Sequence, residues 1–92
     1  MIEEVVVNVL VHNVTDKPLL LRIEPWAEEF LLPVGAKYRV EFTGQQKAEP
    51  EMEITPSEIV LYGWAGSVYS VYDENGKEKW QGKVIAPRGY PR

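Results

Sequence analysis

The chain contains no cysteine. Disulfides, thiolate nucleophiles, cysteine-ligated zinc and type 1 copper are therefore excluded. His12 is its single histidine, so any transition-metal site would rest almost wholly on carboxylates. Apolar runs such as Val5-Val6-Val7 and Leu19-Leu20-Leu21 stop after three residues, against the ~20 that a membrane-spanning helix needs. Basic side chains are the minority, ten against fourteen acidic, for a net charge of −4. That balance argues against a nucleic-acid binder that works by neutralising phosphates. Apolar residues at helical spacing are missing throughout. So are a Gly-x-Gly strand-to-helix unit and a lysine-bearing phosphate loop.

What is present is ordinary globular material: 92 residues, 45% apolar and 26% charged. Such a composition folds rather than staying disordered, and at this length it makes one domain. Residues 1–84 are read as that domain and 85–92, Ile-Ala-Pro-Arg-Gly-Tyr-Pro-Arg, as a C-terminal tail. The acidic start Met1-Ile2-Glu3-Glu4 is unlike the basic start of a secretory signal, so the protein is expected to be cytoplasmic. Asn13-Val14-Thr15 matches the glycosylation pattern, which without an export signal is read as coincidence. Charge is uneven, with a balance of −6 over residues 1–60 and +2 over 61–92.

Period-two alternation and turn residues dominate the pattern. Val5, Val7, Val9 and Val11 alternate with Val6, Asn8, Leu10 and His12 in a long first strand. After a turn at Thr15-Asp16-Lys17-Pro18, Leu19, Leu21 and Ile23 alternate with Leu20, Arg22 and Glu24. Pro25 ends that strand because it has no N–H to donate to a ladder. Phe30 to Leu32 form a short strand closed by Pro33-Val34-Gly35. Tyr38, Val40 and Phe42 then oppose Lys37, Arg39, Glu41 and Thr43, one dry face against one wet face. Met52 and Ile54, set between Glu51, Glu53 and Thr55, predict an edge strand.

Asn75-Gly76 between two strand-like runs is a strong hairpin signal. A two-residue loop there pairs Glu74 with Lys77, Val71 with Trp80 and Tyr69 with Gly82. Ala65-Gly66 reads as a second turn, pairing Tyr62 with Tyr69 and Val60 with Val71. One face of this meander then carries Val60, Tyr62, Trp64, Tyr69, Val71 and Trp80, and the other Ile59, Leu61, Val68 and Tyr72. Two apolar faces need cover on both sides. The expected fold is all-β: a small antiparallel Greek-key sandwich, or a barrel-like sandwich, of about seven to eight short strands.

Catalytic chemistry is weakly supported. His12 lacks a recognisable nucleophile and orienting partner, and Ser57, Ser67 and Ser70 lack a base in any known pattern. Glu28 and Glu29 are adjacent and so point to opposite faces of a strand. The acidic stretch Glu49, Glu51, Glu53 and Glu58 has no glycine-bearing calcium loop. The chain is therefore read as non-enzymatic, with no cofactor and no metal site.

Three tryptophans and five tyrosines are the stronger signal. Trp26, Tyr62, Trp64, Tyr69 and Trp80 are the candidate binding residues, as a docking patch for protein or a stacking platform for sugar rings. The plainer reading makes the same rings the core.

Glu24-Pro25-Trp26, the following Phe30-Leu31-Leu32-Pro33-Val34-Gly35, and Tyr62-Gly63-Trp64-Ala65-Gly66 together resemble a group of small bacterial β-sandwich proteins of unknown function. Their recurrent pattern is Glu-Pro-Trp-Gly, a Pro-Gly turn and a tryptophan-containing hairpin. Here Ala27 stands where the pattern has glycine, and Val34 separates Pro33 from Gly35. The resemblance implies the sandwich fold and a shared structural or docking corner at Glu24, Pro25 and Trp26, and it adds no chemistry. The expectation is a binding or accessory module acting through protein contacts, on another protein or a second copy of itself. A carbohydrate-binding domain is the alternative.

Overall fold

A computed structural model describes residues 4–45 and 50–82, which hold eight strands. These are β1 (Glu4–His12), β2 (Leu19–Glu24), β3 (Glu28–Leu32), β4 (Lys37–Gln45), β5 (Glu51–Ile54), β6 (Glu58–Tyr62), β7 (Val68–Tyr72) and β8 (Glu78–Gly82). They make two four-stranded sheets, ordered β1-β4-β7-β8 and β3-β2-β6-β5. The result is the all-β sandwich that the alternation predicts. The ends of the proposed domain and tail, at residues 84 and 85–92, lie outside the described residues. No helix among the described residues is long and apolar enough to cross a membrane.

The core follows from strand parity. Val5, Val7, Val9 and Val11 of β1 pair with Gly44, Phe42, Val40 and Tyr38 of β4, so both strands turn those side chains to one face. Val40 and Phe42 continue to Val71 and Tyr69 of β7. On the opposing sheet Leu21 and Ile23 of β2 lie beside Ile59 and Leu61 of β6, with Leu32 of β3 beside Leu19. Leu21, Ile23, Leu32, Val40, Phe42 and Val71 are wholly buried, each such side chain stabilising the fold by roughly 1.5–3 kcal/mol.

Between β1 and β2 the chain turns on Asn13, which is fully buried. Its Nδ2 donates to the carbonyls of Lys17 (2.8 Å) and Leu32 (3.0 Å). Its Oδ1 accepts from the Thr15 amide and hydroxyl. The backbone N–H donates to Ala36 and the carbonyl accepts from Gly35, each at 2.9 Å. One residue thus ties the β1–β2 corner to the β3–β4 corner with every polar group used, as a buried amide requires. The apparent glycosylation site is this structural knot.

Three expectations are corrected. First, β2 and β6 run parallel, where an all-antiparallel arrangement was expected. Second, Ala65-Gly66 does turn the chain, with the Ser67 N–H donating to the Trp64 carbonyl at 3.0 Å. It carries the chain across the sandwich, however, and β6 and β7 belong to different sheets. Tyr62 therefore pairs with Glu24 and Glu51, and Val60 with Arg22 and Glu53. Third, Val71–Trp80 and Tyr69–Gly82 pair as expected, but the register shifts near the loop. Gly76 at φ +79° follows an Asp73–Gly76 turn, and Asp73 rather than Glu74 bonds Lys77. A three-residue loop closed by a glycine in the left-handed region accounts for the shift, since it leaves one strand with an extra residue.

Candidate binding surfaces

The five aromatic residues singled out from the sequence do not assemble into one platform. Tyr69 is 1% exposed and Trp64 8%, and both belong to the core. Trp26 packs against that core, its ring centroid 4.6 Å from Tyr69 and 6.3 Å from Phe42. The Phe42 ring also lies 6.0 Å from Trp64. Trp26, Phe42, Trp64 and Tyr69 thus form an aromatic cluster between the sheets. Tyr62 stands apart, on the outer face of the second sheet, where its hydroxyl donates to Glu53. Trp80 sits in β8 opposite Val71, and its side chain lies outside the described residues.

Two glycines let the cluster close. A Cβ on Gly44 would come within 2.9 Å of Trp64 Nε1 and 3.0 Å of the Ser67 Cα. One on Gly63 would meet Ser67 Oγ and Trp26 Cη2, both at 2.8 Å. The Glu24-Pro25-Trp26 corner is therefore seated on Gly63, whose N–H donates to the Glu24 carbonyl at 2.8 Å. Ala27, the residue in place of glycine, adopts φ +57° all the same. Ser67 Oγ donates to the Trp64 carbonyl at 2.6 Å and accepts from its N–H at 3.1 Å. Trp64 Nε1 itself is buried with no acceptor in reach among the described residues. This corner is built for packing.

The outer face of the second sheet was not anticipated as a unit. Register places Glu29, Arg22, Glu58, Val60, Glu53, Glu24, Tyr62 and Glu51 on it. Arg22 lies 2.8 Å from Glu58 and 3.4 Å from Glu29, pairs worth ~0–1 kcal/mol each in partial exposure. Arg22 and Glu53 flank Val60 on either side, and the Arg22 stem can cover apolar surface while its head stays wet. Val60 is buried although it points outward. The even spacing of Glu51 and Glu53 carried this signal, but the parallel β2–β6 pairing that adds Arg22 and Glu24 did not show in the pattern. Among the described residues no group of three or more His, Cys, Asp or Glu side chains is placed to hold a metal ion. Glu53 and Glu58, both in the acidic stretch, are engaged by Tyr62 and Arg22.

The flank where β1 and β5 meet is less closed. Here a cleft of about 110 Å³ is lined by Val9, Phe42, Pro50, Glu51, Met52 and Leu61. Every residue of β5 is exposed, including Met52 and Ile54. On the outer face of β1, Val6 is 50% and Leu10 69% exposed. Asn8 lies between them, its Oδ1 accepting from Arg39 Nη1 at 2.8 Å. Arg39 also pairs with Glu41 at 3.1 Å and covers the Tyr72 ring at 4.3 Å. His12 is exposed at the end of the strand, opposite Lys37.

No family model, curated protein or solved structure matches the chain.

Proposed function

We propose that this domain is a non-enzymatic binding or accessory module that acts through protein contacts. One observation carries the reading: Met52 and Ile54 stand exposed on edge strand β5, where Met52 lines a cleft with Val9 of β1, and Val6 and Leu10 stand exposed on the outer face of β1. Exposed apolar side chains gathered at an open cleft and an uncovered edge mark a contact region more often than scattered single residues do. The aromatic residues contribute by making a rigid body behind that flank rather than by touching the partner. In this reading the module works in the cytoplasm, and its likeness to the small bacterial β-sandwich proteins remains part of the proposal.

Chemical crosslinking of the purified chain, alone and in its own cell extract, tests the reading. Crosslinks from β1 or β5 to a second copy or another protein support it. A chain that forms none in either setting overturns it. Tryptophan fluorescence titrated with a panel of oligosaccharides addresses the carbohydrate alternative, which requires a saturable change. With Trp64 and the Trp26 ring committed to packing, the expected result is no response.

A further inference from the structure

Among the described residues the sandwich has four edge strands: β1 and β8 on one sheet, β3 and β5 on the other. Three carry charge within their pairing stretch: Glu78 and Lys79 on β8, Glu28 and Glu29 on β3, Glu51 and Glu53 on β5. Charges of this kind discourage another chain from adding to the edge. β1 is different. It runs nine residues, Glu4-Val5-Val6-Val7-Asn8-Val9-Leu10-Val11-His12, with ionisable groups only at its two ends. Its register with β4 is unbroken, and among the described residues its other side pairs with no strand.

Backbone parity shows which groups that free side offers. Asn13 directs both its N–H and its C=O to Ala36 and Gly35, on the β4 side. In an antiparallel ladder such groups alternate along the strand, so odd-numbered residues of β1 bond β4. Glu4, Val6, Asn8, Leu10 and His12 therefore aim their N–H and C=O groups at the open edge.

We infer that β1 is the self-pairing edge of a two-fold dimer, antiparallel to β1 of a second copy and centred on Asn8. The inference rests on the protein-contact reading above and names its partner. Centred there, Asn8 faces Asn8, Val6 faces Leu10 and Glu4 faces His12. All of these are even-numbered, so every free N–H and C=O along the strand gains a partner. On the outer face the two exposed apolar residues cover each other. At each end the Glu4 carboxylate meets His12, with Lys37 next to it on β4. A shift by two residues either way loses ladder bonds and separates Glu4 from His12. The strand is thus close to a palindrome in chemistry as well as in length, which an isologous interface demands. Pairing joins the two first sheets into one of eight strands and brings the two open β1–β5 flanks together.

The absence of cysteine permits a direct test of register. Residues facing each other in a bonded antiparallel pair have Cα atoms about 5.5 Å apart, within disulfide range. Asn8→Cys is expected to oxidise to a covalent dimer at least roughly tenfold faster than Leu10→Cys, whose two copies stand about four residues out of register. Equal rates overturn the register. Sedimentation of the unaltered chain, from low micromolar to several hundred micromolar, is expected to show a reversible monomer–dimer equilibrium. Leu10→Pro removes an edge N–H and no bond to β4, a position where a strand tolerates proline. It is expected to sediment as a monomer with an unchanged circular dichroism spectrum. Should that variant misfold, His12→Glu provides the second arm, weakening the dimer about tenfold, with Glu4→Lys added to restore it. A dimer indifferent to all of these overturns the inference but leaves the protein-contact reading standing. A strict monomer also overturns it, and the broader reading then falls only if crosslinking in cell extract yields no partner.

Discussion

The two flanks of this sandwich are built from similar side chains and finished in opposite ways. At the β2–β3 corner, Trp26 reaches between the sheets to Phe42 and Tyr69; Gly63 yields the space for it, as Gly44 does for Trp64. At the β1–β5 flank, Val9, Pro50, Met52 and Leu61 border a cleft that no aromatic side chain of β1 or β5 fills. Apolar content alone therefore does not say whether a surface is hidden. Closure depends on whether a large ring lies on one side and a bare backbone on the other.

Substitutions can break that contrast, beginning at its centre. Phe42→Ala removes a ring that contacts both Trp26 and Trp64 and also lines the cleft. It is expected to lower stability by about 3–5 kcal/mol, measured by urea unfolding. The next effect is at Gly44. Because one obstructing atom is the Ser67 Cα, Gly44→Ala forces the backbone to move and should cost about 1–3 kcal/mol. Ala27→Gly acts in the other direction. Relief of a left-handed alanine, ~1–2 kcal/mol, outweighs the added chain entropy of glycine, ~0.5–1 kcal/mol, so a gain of about 0.5–1 kcal/mol is expected in the same assay. On the open flank Ile54→Thr should change monomer stability by less than ~0.5 kcal/mol. A large loss there would mean that β5 is more deeply involved in the fold than its exposure indicates.

The strands themselves were legible, because alternation in β1, β2 and β4 is a local property that tertiary packing left intact. The β7–β8 register was legible in its interior for the same reason. What failed was pairing across a turn. Ala65-Gly66 has the residues of a tight hairpin, but Trp64 and Ser67 on either side of it are buried in the aromatic corner, which draws the chain to the opposite sheet. The two-faced apolar pattern of β6 misled for a related reason. Val60 needs no third layer, since Arg22 and Glu53 flank it, and those neighbours come from strands distant in sequence. Of the candidate site, the aromatic residues were visible and their burial was not. The open edge of β1 was written in its lack of internal charge, yet only the ladder to β4 shows which of its backbone groups are free.

The layering of the chain also bears on how it folds. Hairpins β2–β3, β5–β6 and β7–β8 join neighbours in sequence, and such units form on the order of microseconds. The ladders β1–β4, β2–β6 and β4–β7 join distant segments, and each must close a long loop before it gains anything. Refolding is thus set by the wait for these three encounters, in the millisecond-to-second range of sandwich topologies. Until β4 docks, the valine-rich first strand has neither of its edges covered.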